Sequence, residues 1–121
     1  MIRFSANLTM LFTEVDFLQR FERAAKAGFK AVEYMFPYSW EKGELAEYLK
    51  RYGLRQVLFN LPAGHWADGE RGIACLADRE GEFRDGVGQA IEYAKALECS
   101  LVNCLVCKAP AESPEKARRT L

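Results

Sequence analysis

The side chains in this sequence best suited to hold a small polar molecule are Asn7, Asn60, Asn103, Lys108 and the run His65-Trp66-Ala67-Asp68-Gly69-Glu70-Arg71. Arg71 offers a planar fork that grips a carboxylate or phosphate in two places; its plainer role is an ion pair with Glu70 or Asp68. His65 is the only histidine, and so the only side chain whose ordinary pKa lies near neutrality. It serves either proton transfer or a structural hydrogen bond. Trp66 either walls a pocket or packs in the core. Glu33 falls within an apolar run, where a carboxylate either pairs with a cation such as Arg3 or works as a proton carrier.

Familiar catalytic signatures are missing. The sequence has no glycine-rich phosphate loop, Ser-His-Asp set, H-E-x-x-H or carboxylate cluster at metal-ligand spacing. The cysteines are Cys75, Cys99, Cys104 and Cys107. Cys104-Leu105-Val106-Cys107 has C-x-x-C spacing, but an offset of three in a strand sends the two side chains to opposite faces. Reduced thiols are therefore expected.

An internal repeat positions these groups. Three times a helical stretch meets a small turn and a short β-prone run: Ala24–Phe29 into Ala31–Tyr34, Leu49–Leu54 into Gln56–Phe59, and Ala94–Cys99 into Leu101–Cys104. Such alternation predicts βαβ units and a parallel sheet. Strands are expected at Ile2–Leu8, Ala31–Phe36, Arg55–Leu61 and Leu101–Val106. The first helix is expected after an N-cap at Thr13, with Phe17, Leu18, Phe21, Ala24 and Ala25 on one stripe. The second is expected over Gly43–Tyr52, closed by Gly53. The third is expected over Arg79–Leu97 from an N-cap at Asp78, with Phe83, Val87, Ala90, Ile91 and Ala94 inward. Ser113-Pro114-Glu115 reads as the start of a fourth.

Alternation divides each strand into an apolar and a more polar set. Phe4, Ala6 and Leu8 oppose Arg3, Ser5 and Asn7. Val32, Tyr34 and Phe36 oppose Ala31, Glu33 and Met35. Val57, Phe59 and Leu61 oppose Gln56, Leu58 and Asn60. Val102, Cys104 and Val106 oppose Leu101, Asn103 and Leu105. A sheet buried under helices on both faces needs two apolar sets. One greasy and one wetter face suit a barrel with a polar mouth. The expected fold is α/β, a parallel (β/α) TIM-barrel type. Residues 1–121 supply about its first half: strands 1–4, helices 1–3 and the start of helix 4 of a single barrel domain, with the second half absent from this chain. Sites in such barrels lie at the C-terminal strand ends, where Asn7, Asn60, Asn103, Lys108 and the long loop from Pro62 fall.

Half of the 121 residues are hydrophobic, and 17 basic residues balance 17 acidic ones. That balance argues for a globular domain and against nucleic acid as partner. No apolar run reaches membrane-spanning length and no signal peptide opens the sequence, so a cytoplasmic protein is expected. Bare edges on the first and last strands invite pairing, making a homo-oligomer one expected assembly.

Arg3–Leu8, Val32–Tyr38, Phe59–Gly64, Trp66, Gly69–Cys75, Asn103–Val106 and Lys108 together resemble the hydroxypyruvate isomerase family, within the wider xylose-isomerase-like TIM barrels. The resemblance covers essentially the whole chain, and Gly69-Glu70-Arg71-Gly72-Ile73-Ala74-Cys75 is its most specific part. It implies an intramolecular oxidoreductase of the aldose–ketose type in glyoxylate and carbohydrate metabolism. Such an enzyme interconverts hydroxypyruvate and tartronate semialdehyde by enediol proton transfer in the complete barrel, with a small hydroxy-carbonyl acid as substrate. Relatives with 2-oxo-tetronates or other sugars as substrates, and a non-catalytic half-barrel that pairs with another chain, are the alternatives. The resemblance also implies a substrate-side wall of Asn60, Trp66, Glu70, Arg71, Asn103 and Lys108. The catalytic carboxylates and any divalent metal, magnesium or manganese, belong to the later strands. No catalytic or metal-binding residue is thus assigned here, and the 121 residues alone are expected to be inactive. The family usually has an acid where His65 stands and usually a glycine where Cys107 stands.

Overall fold

A computed structural model describes residues 1–108 and 114–121. Four strands form one parallel sheet in the order β1-β2-β3-β4: β1 (Ser5–Asn7), β2 (Ala31–Glu33), β3 (Arg55–Asn60) and β4 (Val102–Asn103). Helices α1 (Gln19–Lys26), α2 (Lys42–Tyr52) and α3 (Glu80–Ala96) connect them, and α4 (Pro114–Thr120) follows. This is the expected TIM-barrel-type α/β architecture, with one βα unit per repeat. Among the described residues no helix is long and apolar enough to cross a membrane. The expected N-cap Ser113 lies outside the described residues.

The core forms where the helices lie on the sheet. Ala6, Val32 and Phe59 from the strands, with Leu8 and Tyr34 just beyond β1 and β2, bury against Phe21, Ala24, Leu45, Leu49, Ala90 and Tyr93 from the helices. Phe17 stacks on Trp40 with ring centroids 4.1 Å apart and meets Phe21 and Tyr34 edge-on. Such aromatic pairs add to plain area burial.

Several expectations need correcting. Helix α1 starts at Gln19, six residues beyond Thr13, and Leu18 at its N-cap gives no side-chain cap. The segment before it folds as turns, because the Arg20 guanidinium donates to the carbonyls of Val15 (3.0 Å) and Leu8 (2.7 Å) and so satisfies a non-helical path. Phe4 is 73% exposed instead of buried, since it precedes the paired part of β1. On α3 the buried residues are Ala90 and Tyr93, continued by Leu97 at the C-cap, and Ile91 is 48% exposed. Tyr93 sets that rotation by donating its hydroxyl to the Trp40 carbonyl at 2.6 Å. Asp78 does not cap α3; it lies in a 3-10 turn, Ala77–Arg79, and Arg79 takes the N-cap position.

The strand faces hold a subtler correction. Register runs Val32↔Gln56 and then Glu33↔Leu58, so Val57 is an extra residue in a β-bulge. Gln56 therefore joins the Ala6–Val32 row on the helix side. It is 1% exposed there, beside Leu49, Leu54 and Leu97. Its side-chain nitrogen donates to the Leu58 carbonyl at 2.8 Å, while Oε1 finds no partner. Val57 turns the other way and lines a hollow with Ser5, Ala31 and Arg55.

Strand β4 is also shorter than expected. Only Val102 and Asn103 pair with β3. Beyond them the chain packs against the long loop after β3.

Candidate functional site

The C-terminal ends of β3 and β4 meet at Asn60 and Asn103. Asn103 Nδ2 donates to Asn60 Oδ1 at 3.1 Å, and the Leu61 N–H donates to the Asn103 carbonyl at 2.8 Å. Asn60 is 7% exposed. The Tyr38 hydroxyl donates to its backbone carbonyl at 2.5 Å, and burial, with Tyr93 nearby, pushes that phenol's pKa up. With its oxygen engaged, Asn60 is left with its amide N–H groups to offer a ligand. Asn7 is spent locally: its Oδ1 accepts the Thr9 N–H at 3.0 Å.

After β3 the chain makes a 3-10 turn at Trp66–Asp68 and returns through Arg71. The Arg71 guanidinium carbon stands 3.8 Å from the Trp66 ring centroid, a cation–π stack. Its Nη1 donates to the carbonyls of Trp66 (3.0 Å) and Glu70 (2.7 Å). Among the described residues Arg71 has no carboxylate partner, and its Nε–Nη2 edge makes no hydrogen bond. Three N–H donors are thereby held in a fixed plane, the geometry that receives a carboxylate in two places. Trp66 packs edge-on to Phe36 at 5.0 Å, and with Tyr38, Pro62 and Gly64 they line a hollow of about 240 Å³.

Glu70 is turned into the loop. One carboxylate oxygen accepts the His65 backbone N–H at 2.5 Å and the other takes Arg79. Arg79 also forks onto Glu82 at 2.8 and 2.9 Å. Hydrogen bonding from Arg79, then from His65, holds the Glu70 carboxyl below the ordinary glutamate range. Arg79 is pushed up in turn, by Glu82 first and Glu70 second. The structure thus gives Glu70 a clamping place within the loop. Arg79 went unnoticed in the sequence, where only its i,i+3 spacing to Glu82 hinted at an ion pair.

His65 is exposed and contributes its backbone to this clamp. Lys108 is exposed and has no ion-pair partner among the described residues. Neither has Glu33, so the Arg3 pairing does not form. Two groups are thus brought into contact, Asn60 with Asn103, and Arg71 with Trp66 and the Glu70 carbonyl.

The loop is stitched to the segment after β4. The Cys75 N–H donates to the Val106 carbonyl at 3.3 Å. Gly72, at φ +101°, lies so close to the Leu105 carbonyl that a Cβ would overlap it. Cys75 and Cys107 are joined, with Cα atoms 5.9 Å apart, and Cys99 and Cys104 are free thiols. The sequence expectation of four separate thiols did not foresee this juxtaposition of Cys75 with Cys107, although Cys104 and Cys107 do stay apart. Among the described residues no three His, Cys, Asp or Glu side chains group as metal ligands. These residues therefore do not fit a divalent metal.

Parallel strands, helices outside and polar side chains at the carboxyl ends define a partial (β/α)-barrel scaffold with a polar mouth. The chain belongs to the xylose isomerase-like TIM-barrel family, which matches residues 21–121. It is 58% identical over 122 aligned residues to hydroxypyruvate isomerase of Escherichia coli, covering 100% of this chain and 47% of that protein. It is 52% identical to 2-oxo-tetronate isomerase of Pectobacterium atrosepticum, over 84% of this chain and 39% of that one. A crystal structure of an AP endonuclease, family 2, from Brucella melitensis superposes with a TM-score of 0.96 at 46% identity, over 99% of this chain and 46% of that chain. The chain spans about half the length of the relatives it matches.

Proposed function

We propose that residues 1–121 form the first half of one (β/α)8 barrel that isomerises hydroxypyruvate to tartronate semialdehyde. The observation that carries this reading is Arg71, stacked on Trp66 with three donors left over. A hydroxy-carbonyl acid presents a carboxylate to that fork. Fixing the carboxylate orients the neighbouring carbons for proton transfer. Asn60, steadied by Asn103, offers its amide N–H groups to a substrate oxygen, and Lys108 adds positive charge at the rim. In this reading a proton leaves the carbon beside the carbonyl to give an enediolate, the hydroxyl proton passes to the former carbonyl oxygen, and a proton returns to the adjacent carbon. The carboxylates that carry it come from the later strands. A divalent metal, if used, would draw its ligands from there too. Glu70, whose oxygens are engaged by Arg79 and His65, serves by shaping the loop.

A second reading, isomerisation of a 2-oxo-tetronate, is favoured by relatives of that name at 52%, 45% and 46% identity. Both substrate classes present a carboxylate, so Arg71 has the same part in each.

The test is to assay the complete barrel carrying these residues against hydroxypyruvate, 2-oxo-tetronates and ketohexoses, with Arg71→Lys beside it. Turnover of an acid, with KM raised roughly tenfold or more by Arg71→Lys, supports the reading. A preference for uncharged ketohexoses, or a KM indifferent to Arg71→Lys, overturns it. The 121 residues alone should give background turnover with or without added magnesium or manganese.

A further inference from the structure

Cys75 and Cys107 are 32 residues apart in sequence, yet their Cα atoms stand 5.9 Å apart. A disulfide spans about 4.4–6.8 Å between Cα atoms. Two backbone contacts hold the same two segments together beside the sulfurs: the Cys75 N–H reaches the Val106 carbonyl, and Gly72 lies against Leu105. The two sulfurs also differ in access, since Cys75 is 4% exposed and Cys107 sits half-buried at the rim.

We propose that Cys75 and Cys107 form a reversible thiol–disulfide site for small thiols and disulfides of the glutathione class, with Cys107 as the exchanging sulfur. In the oxidising direction the Cys107 thiolate attacks one sulfur of the small disulfide. A mixed disulfide forms on Cys107, and one small thiolate leaves. The Cys75 thiolate then attacks the Cys107 sulfur and expels the second small thiolate. The two protein thiols lose two protons and two electrons, and the small disulfide is reduced to two thiols. Reduction follows the same steps backwards. The oxidised state ties the loop bearing Arg71 to the segment bearing Lys108. The reduced state leaves that seam to the Val106 hydrogen bond and the Gly72 contact. This holds whichever substrate the barrel takes.

The test equilibrates the chain in buffers of graded reduced-to-oxidised glutathione, traps free thiols by alkylation and maps the peptides by mass. Amide hydrogen exchange is read over residues 63–76. Three results are expected. A Cys75–Cys107 cross-link grows with the oxidised fraction and disappears on return to reduced glutathione. Exchange at the Gly72 and Cys75 amides slows about tenfold in the cross-linked form. In Cys75→Ser, which cannot resolve the intermediate, glutathione stays on Cys107. Three results would overturn the proposal: both thiols still open to alkylation in fully oxidised buffer, a Cys104–Cys107 bond instead, or unchanged loop exchange in the cross-linked form. Cys107→Ser, with its circular dichroism compared to the parent, tests the assignment separately. Loss of the cross-link with native helicity supports it, and a cross-link from Cys75 to another cysteine refutes it.

Discussion

Gly72 lies against the carbonyl oxygen of Leu105, in a backbone conformation that side chains rarely adopt. Two demands meet at this one residue, a positive φ and no Cβ. Its N–H donates to the Ala63 carbonyl at 2.9 Å, so it also closes the loop on itself.

Gly72→Ala should therefore cost more than strain alone. Gly28 makes the comparison clean, because it too has a positive φ, +94°, but a Cβ there meets nothing within 4 Å. We expect Gly28→Ala to lose about 1 kcal/mol and Gly72→Ala about 2–4 kcal/mol. Urea unfolding of the two variants measures the difference; equal losses would mean that the Leu105 contact carries no weight.

The Glu70 clamp should depend on pH. Its folded pKa is lowered, so its stabilisation is present above the ordinary glutamate pKa and is lost as pH falls through the depressed value. The His65 amide, which donates to this carboxylate, should show an NMR titration with its midpoint below about 4.3. Glu70→Gln should abolish that step, and a midpoint above the ordinary value would contradict the clamp.

Gln56 is a buried polar side chain in an apolar setting, with one oxygen unpaired. Replacing it by leucine removes that deficit, and the Leu58 carbonyl keeps the Tyr34 N–H at 3.4 Å. Gln56→Leu should stabilise the fold by about 1 kcal/mol, read as a raised thermal midpoint. A clear loss would mean that the bonded amide outweighs the orphaned oxygen.

Asn103→Leu should strand the buried Asn60 oxygen and cost about 1–3 kcal/mol. In a double-mutant cycle with Asn60→Leu the two losses should fall short of additive. Additive losses would show that the contact is not coupled.

Much of this architecture was legible because each repeat pairs a helix stripe with a short apolar run, and local pattern suffices for that. Face assignments failed at Gln56, where one inserted residue reverses every later side chain counted from the strand's start. The Thr13 cap failed because Arg20, a residue with no local signature, claims the carbonyls of Leu8 and Val15. At the site, Trp66 and Arg71 were legible as types at a suggestive spacing. The engagement of Glu70's oxygens by Arg79 and the His65 amide was not, for it depends on how the loop meets α3. Nor did the sequence reveal Cys75 beside Cys107, which only the approach of two separate segments creates.

Arg79 touches both Glu70 in the loop and Glu82 on α3, while Tyr93 ties the same helix to Trp40 in the connection after β2. The helix is thus a rod held at two stations. A tilt of that rod would swing the Arg71 fork relative to the β2 side of the mouth. On the reading proposed above, pressure on the outer surface of α3 would reach, through Arg79 and Glu70, the Arg71 fork proposed to take a substrate's carboxylate.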